Sequence, residues 1–139
     1  MDSPSAPTPF DLIGGVAVLR AITDRFYDLM DTDPGYAELR AMHAADLAPM
    51  RDSLPGFLTG WIGGPRDWFA ANPGKCMMSA HAPLAIDRQT AGQWAEAMRR
   101  AIEATVPPES DPQALAIAKA MAEALERMAL GMAHASATT

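Results

Sequence analysis

The chain is poor in several things that would each have pointed elsewhere. It has a single cysteine, Cys76, in 139 residues. That excludes an intramolecular disulfide framework and fits a reducing, cytoplasmic compartment. Cys76 is either a buried, inert thiol, the ordinary state of a lone cysteine, or a reactive one. No stretch approaches the roughly 20 apolar residues of a membrane span. Cationic residues are scarce, 11 Lys and Arg against 17 Asp and Glu, for a net charge of -6. Nucleic acid and anionic membrane are therefore excluded as main partners, because phosphate binding needs a clustered positive field. Residues 1–9 hold three prolines, no positive charge and no apolar core, so a secretory signal is not expected there.

What is present is helix-forming. Ten methionines and many alanines, with few β-branched residues, favour helix over sheet. No segment alternates with strand period, and the expected class is all-α. The length suits one domain able to bury roughly two-thirds of the surface its unfolded form exposes. The expected layout is a disordered tail over 1–9, one domain over 10–135 and a short tail over 136–139.

The Gly14-Gly15 pair after Phe10-Asp11-Leu12-Ile13 lets the backbone turn sharply or lets helices approach closely. A phosphate cradle needs a preceding strand and a following lysine motif, and neither is present. From Val16 to Met30, Val16, Leu19, Ile22, Phe26, Leu29 and Met30 recur on one helical face, with Tyr27 beside them. Asp31 to Gly35 ends this helix, and a short helical piece over 36–42 delivers His43. Asp46 caps a helix with Leu47, Met50, Leu54, Phe57, Leu58 and Trp61 inward. Pro49 is tolerated in its first turn, whereas Pro55 predicts a kink or a restart capped by Ser53. Gly63-Gly64-Pro65 stops it, and 66–74 reads as a mostly irregular connector bearing Trp68 and Phe69. Asp87 caps a helix with Ala91, Trp94, Met98, Ala101 and Ile102 on one face. Asp111 and Pro112 open a last long helix striped by Leu115, Ala118, Ala122, Leu125, Met128 and Met132.

Between these helices lies Met77-Met78-Ser79-Ala80-His81-Ala82-Pro83, a lone imidazole in an apolar segment stopped by proline. From the residues alone His81 is either a hydrogen-bonded core histidine or a ligand. Its neighbours shift the balance. Leu12-Ile13-Gly14-Gly15, Arg25-Phe26-Tyr27-Asp28-Leu29-Met30, Leu39-Arg40-Ala41-Met42-His43, Phe57-Leu58-x-Gly60-Trp61-x-Gly63-Gly64-Pro65, His81-Ala82-Pro83 and Gln93-Trp94-x-x-x-Met98 follow one another in unbroken order. Together they resemble the group II truncated haemoglobins of the globin superfamily.

The resemblance implies a two-over-two helical sandwich around a b-type haem, iron protoporphyrin IX. His81 matches the proximal ligand of the iron, the metal site. Tyr27 and Trp94 match positions that donate hydrogen bonds to bound ligand, and a donor there stabilises partial negative charge on dioxygen as an oxyanion hole does. His43 matches a corner position with three roles open: donating to ligand, pairing with Tyr27, or sitting at the rim. Met50 stands at the distal-histidine position of ordinary globins, where a thioether gates, packs, or moves to bind iron. Leu54, Trp61, Trp68, Met77, Ile86 and Met98 become haem-packing candidates, each otherwise plain core.

Two departures stand out. The family commonly has propionate-pairing arginines where this chain has Met78 and Ala80, which leaves Lys75 and Arg66 as the nearby cations. The phenylalanine usual after the proline is Leu84. The implied function is binding of dioxygen or another small diatomic ligand, with peroxidase-like or nitric-oxide dioxygenase-like turnover open and no catalytic residue assigned. The alternatives are a six-coordinate haem protein for electron transfer or sensing, closed by Met50 or His43, and a helical interaction domain that has lost haem. Monomer and homodimer both remain open.

Overall fold

The computed structural model of the chain describes residues 8–43, 45–72 and 87–137, with side chains through Gly131. His81, Met77, Ile86, Cys76 and Lys75 lie outside the described residues. All regular structure among the described residues is helical, as the composition predicts.

The first turn, α1 (Pro9–Ile13), is made by a reciprocal cap. Thr8 Oγ1 accepts from the Asp11 amide at 3.2 Å, and Asp11 Oδ2 accepts from the Thr8 amide at 3.1 Å, so two orphan donors are satisfied. Gly14 and Gly15 follow with φ of 118° and 77°, a left-handed pair open to glycine and strained for other residues. Helix formation thus begins one residue before the expected domain start. The long helix α2 (Val16–Thr32) buries Leu19, Ile22, Phe26 and Met30 almost completely. Thr23 is buried among them with its hydroxyl donated to the Leu19 carbonyl at 2.9 Å. Val16, expected on this stripe, is 51% exposed instead. It occupies the first turn, just after the glycine turn and before the buried face begins.

After α2 the chain makes a 3₁₀ turn over Pro34–Tyr36 and a short α3 (Ala37–Ala41). Then comes α4 (Ala48–Trp61). Asp46 accepts from the Ala48 amide at 3.0 Å, so it serves the start of this helix from one position further out than a true cap. Pro55 does not divide α4. The helix runs through it as one element, and Pro55 is fully buried, so its lost hydrogen bond is offset by packing. Ser53 is not a cap; its hydroxyl accepts from Trp68 Nε1 at 2.9 Å.

The segment expected as an irregular connector contains a helix, α5 (Asp67–Ala71). Five residues cannot hold a helix by propensity alone; this one is held by packing. A Cβ added at Gly56 would stand 3.0 Å from Trp68, and one at Gly60 only 2.5 Å from the Phe69 ring. The two aromatics therefore lie directly on the α4 backbone. Helix α6 (Arg88–Thr105) opens on a second reciprocal cap between Asp87 and Thr90. Finally α7 (Pro112–Ala137) starts at Asp111, whose Oδ2 accepts from the Gln113 and Ala114 amides. It runs two residues past the expected domain end.

The helices form two pairs, α2 with α4 and α6 with α7, and α2 crosses onto α6. Direct packing between α4 and α6 is slight by comparison. A polar seam fastens the turn and α3 to α6: Gln93 Oε1 accepts from the Leu39 amide at 3.2 Å, Tyr36 donates to Glu96 at 2.9 Å, and Arg100 donates to Asp33 at 2.9 Å and Tyr36 Oη at 3.0 Å. Gln93, Glu96 and Arg100 share one helical flank. No helix among the described residues is long and apolar enough to cross a membrane.

Two outcomes test this packing. Gly60→Ala must displace the Phe69 ring and should cost about 1–3 kcal/mol by chemical denaturation. The hydrogen bond from Arg100, aided by that from the Gly35 amide, holds the Asp33 carboxyl below its ordinary range. Its contribution is complete above the unfolded pKa of about 3.9 and is lost as pH falls below it. Arg100→Gln should therefore lower stability at neutral pH and flatten the acid limb of the stability curve.

Candidate functional site

Tyr27, Trp94 and His43 come together around one residue, Phe26. The Phe26 ring, with no exposure, meets Tyr27 edge-on at 4.9 Å between centroids and Trp94 at 5.4 Å. Helices α2 and α6 thus present a phenol and an indole from opposite sides of the same buried ring. His43, at the corner after α3, places its ring 6.3 Å from that of Tyr27. Its Nδ1 lies 2.8 Å from the Leu39 carbonyl. A carbonyl can only accept, so Nδ1 carries the proton.

Tyr27 and Trp94 are 6% and 7% exposed. Yet neither the Tyr27 hydroxyl nor the Trp94 N–H has a hydrogen-bond partner among the described residues. Two unpaired donors thus stand on one cluster, open to an acceptor. Nor are they sealed in, unlike Thr59 Oγ1, an enclosed hydroxyl without a partner. Burial pushes the Tyr27 phenol up to about 12, with the Arg51 guanidinium pulling modestly the other way.

Arg51 was not visible as a site residue in the sequence. It donates to Asp28 at 2.8 Å and to the Asp24 carboxylate and carbonyl at 3.3 and 3.2 Å, and its guanidinium lies 5.9 Å from the Tyr27 ring centroid. It ties α4 to α2 beside the phenol. The available signal was Asp24 and Asp28, four residues apart on the flank of the Tyr27 helix.

Helix α4 uses three faces. Arg51, Pro55 and Leu58 meet α2; Ser53, Gly56 and Gly60 meet α5. The third face carries Met50, Leu54, Phe57 and Trp61, of which all but Phe57 are only partly buried. Trp61 stacks on Phe57 at 6.2 Å and 16°. A row of large apolar side chains left half-covered needs something apolar against it. Met98 is on α6 one turn beyond Trp94 and fully buried. Trp68 belongs to the α4–α5 contact, with its N–H given to Ser53 and its ring edge-on to Phe57 at 5.5 Å. Arg66 donates to the Gly60 carbonyl at 3.3 Å and lies 4.4 Å over the Phe69 ring, so it is engaged within the α4–α5 unit.

No group of three or more His, Cys, Asp or Glu among the described residues could hold a metal ion. The apolar row and the two unpaired donors fit a haem.

A small all-helical sandwich of two crossed pairs, with a phenol and an indole on one buried ring, is the architecture of a shortened globin. The bacterial-like globin family matches residues 8–129. The group II 2-on-2 haemoglobin of the plant pathogen Agrobacterium tumefaciens is similar at 31% identity and TM-score 0.83, over 94% of this chain and 97% of that one. The cold-adapted truncated haemoglobin of the Antarctic marine bacterium Pseudoalteromonas haloplanktis TAC125 is similar at 29% identity and TM-score 0.81, over 91% and 97%. The haemoglobin of the thermophilic phototroph Chloroflexus aurantiacus shows 30% identity and TM-score 0.78, over 91% and 98%. No curated protein matches. The chain belongs to the bacterial-like globins and, within them, to the group II truncated haemoglobins. Membership makes it a haem-based ligand-binding protein, of a family whose members bind small diatomics such as dioxygen.

The phenol's high pKa makes a specific statement. In a Tyr36→Phe background, ultraviolet titration should show Tyr27 ionising only near pH 12, and removing Arg51 should move it higher. Ionisation near the ordinary value of about 10 would show an open phenol.

Proposed function

We propose that the chain holds a b-type haem against the Met50, Leu54, Phe57 and Trp61 row of α4, with His81 as the iron's protein ligand, and binds dioxygen. The observation that carries this reading is the pair of unpaired donors on the largely buried Tyr27 and Trp94 side chains, both packed edge-on to Phe26. When bound, haem supplies an iron that takes diatomic ligands and the redox equivalents for peroxide or nitric-oxide turnover.

The chain's own residues do the rest. Tyr27, with its pKa near 12, keeps its proton at every physiological pH and donates. The Trp94 indole N–H is a donor only. Both are aimed before the ligand arrives, so little reorganisation opposes the stabilisation of negative charge. Arg51, tied to Asp24 and Asp28, keeps α4 in register with α2 beside Tyr27. Met50, Leu54 and Trp61 exclude water from the acceptor side and pack the ring system. With Cys76 as the sole thiol, we place the protein in the cytoplasm.

His43 favours a second reading. Its Nδ1 proton is held by the Leu39 carbonyl, the kind of outer hydrogen bond by which metal-ligating histidines are oriented, and its ring stands 6.3 Å from that of Tyr27. In that reading His43 closes the sixth position and the protein transfers electrons or senses.

The absorption spectrum of the purified, haem-loaded protein decides. A Soret band lost in His81→Ala and a five-coordinate ferrous form without gas are expected; a six-coordinate form abolished by His43→Ala selects the second reading. Tyr27→Phe and Trp94→Leu should each raise the dioxygen off-rate about tenfold or more, the worth of a hydrogen bond to a charged acceptor. Unchanged off-rates in both variants would remove the donor roles, and failure to take up added haem would end both readings.

A further inference from the structure

Apart from the Tyr27 and Trp94 cluster, α6 and α7 enclose an open groove of about 430 Å³. Its floor includes Ile102, Val106 and Leu115, and its rim carries both signs, Arg99 and Lys119 against Glu103, Glu123 and Glu126. One ion pair crosses it, Arg99 to Glu126 at 3.9 Å, with the two side chains 51% and 47% exposed. That pair is too loose and too wet to close the groove.

The pattern along α7 says what fits there. Leu115, Lys119, Ala122, Glu126 and Leu130 fall within about 80° of arc at 3.6 residues per turn, on the flank beside the core face of Met121 and Leu125, with Leu115 and Ala122 partly buried. Read from its centre between Ala122 and Glu123, the stripe is symmetric in position and opposite in charge: a leucine at each end, a lysine inside one and a glutamate inside the other. Leu130 is 40% exposed, one of two large apolar side chains so exposed among the described residues. It extends the stripe one turn beyond the groove.

We propose that this face pairs two copies of the chain, α7 lying antiparallel on α7 about a two-fold axis at Ala122 and Glu123. In that register Leu130 of one protomer covers the partner's Leu115, and Lys119 meets the partner's Glu126, each contact occurring twice. A two-fold interface must be self-complementary; this stripe is so at Leu115, Lys119, Glu126 and Leu130, and the Glu123 of each copy stands beside the axis, four residues from its own Lys119. A strongly basic or strongly acidic occupant would leave one sign of the rim unmatched. The stripe and the adjoining rim of α6 are small beside the roughly 800 Å² per partner of a standard stable interface, so the pairing is reversible and depends on concentration.

Sedimentation velocity on the full-length, haem-loaded protein tests it. From micromolar to millimolar concentration the mass should rise from 14.8 kDa toward twice that value. Lys119→Glu and Glu126→Lys should each weaken association about tenfold or more, and the double swap should restore it to within a fewfold. Any new repulsion between Arg99 and a lysine at 126 is the same in the single and the double variant, so restoration can come only from across the axis. Leu130→Asp should hold the chain monomeric with its Soret band and helicity unchanged. A monomer at every concentration, a dimer indifferent to both single swaps, or a double swap that stays dissociated would overturn the proposal.

Discussion

The ring of Phe26 is the contact on which the rest of the molecule depends. It has no exposed surface, and it takes Tyr27 of its own helix and Trp94 of α6 edge-on. Edge contacts of this kind fix angle as well as distance. The crossing of α2 on α6 therefore sets the separation of the two donors at the same time as it builds the core. Around that point the polar seam of Gln93, Glu96 and Arg100 holds α3 and its turn to α6, which delivers His43 to the same corner. Site geometry and fold geometry are one set of contacts here.

Helix α4 shows how the other wall is made. Its three faces have three chemistries: a half-exposed ionic clamp toward α2, bare backbone at Gly56 and Gly60 toward α5, and half-covered apolar side chains between them. The clamp pairs a guanidinium with carboxylates that are 51% and 60% exposed, so its strength lies less in Coulomb energy than in fixing the register of two helices. The glycine face works by subtraction, since the rings of Trp68 and Phe69 occupy the volume that side chains would have taken. With two faces committed, the row of Met50, Leu54 and Trp61 is left as the face with spare apolar surface.

Much of this could be read in the sequence, and the reasons for the gaps are physical. Leu19, Ile22, Phe26 and Met30 repeat often enough to declare α2, and Asp87 and Asp111 announce the starts of α6 and α7 through capping chemistry. Tyr27, Trp94 and His43 were legible from their order along the chain. Helix α5 was not, because five residues are too few to show a period and its cause lies in two glycines on another helix. Arg51 was missed because a cation that bridges helices leaves no periodic trace. Val16 was overread because a stripe does not say where burial begins. Of the two outcomes open at Pro55, the restart at Ser53 does not occur, because α4 runs through the buried proline as one helix. Trp68, one of the haem-packing candidates, is tied to α4 through the hydroxyl of Ser53.

The small turn α1 has a consequence that its size conceals. The Phe10 amide donates to the Ile62 carbonyl at 3.0 Å, and Cβ atoms added at Gly63 and Gly64 would stand 3.2 Å from Thr8 and 2.7 Å from Phe10. The beginning of the domain is thus docked on the end of α4, and it also packs on α7. Such a contact closes a loop containing all of α2, α3 and α4, and loop-closure entropy is recovered only after the intervening helices have paired. The wall carrying Met50 and Leu54 is thus held near its start by the Arg51 clamp and at its end by α1.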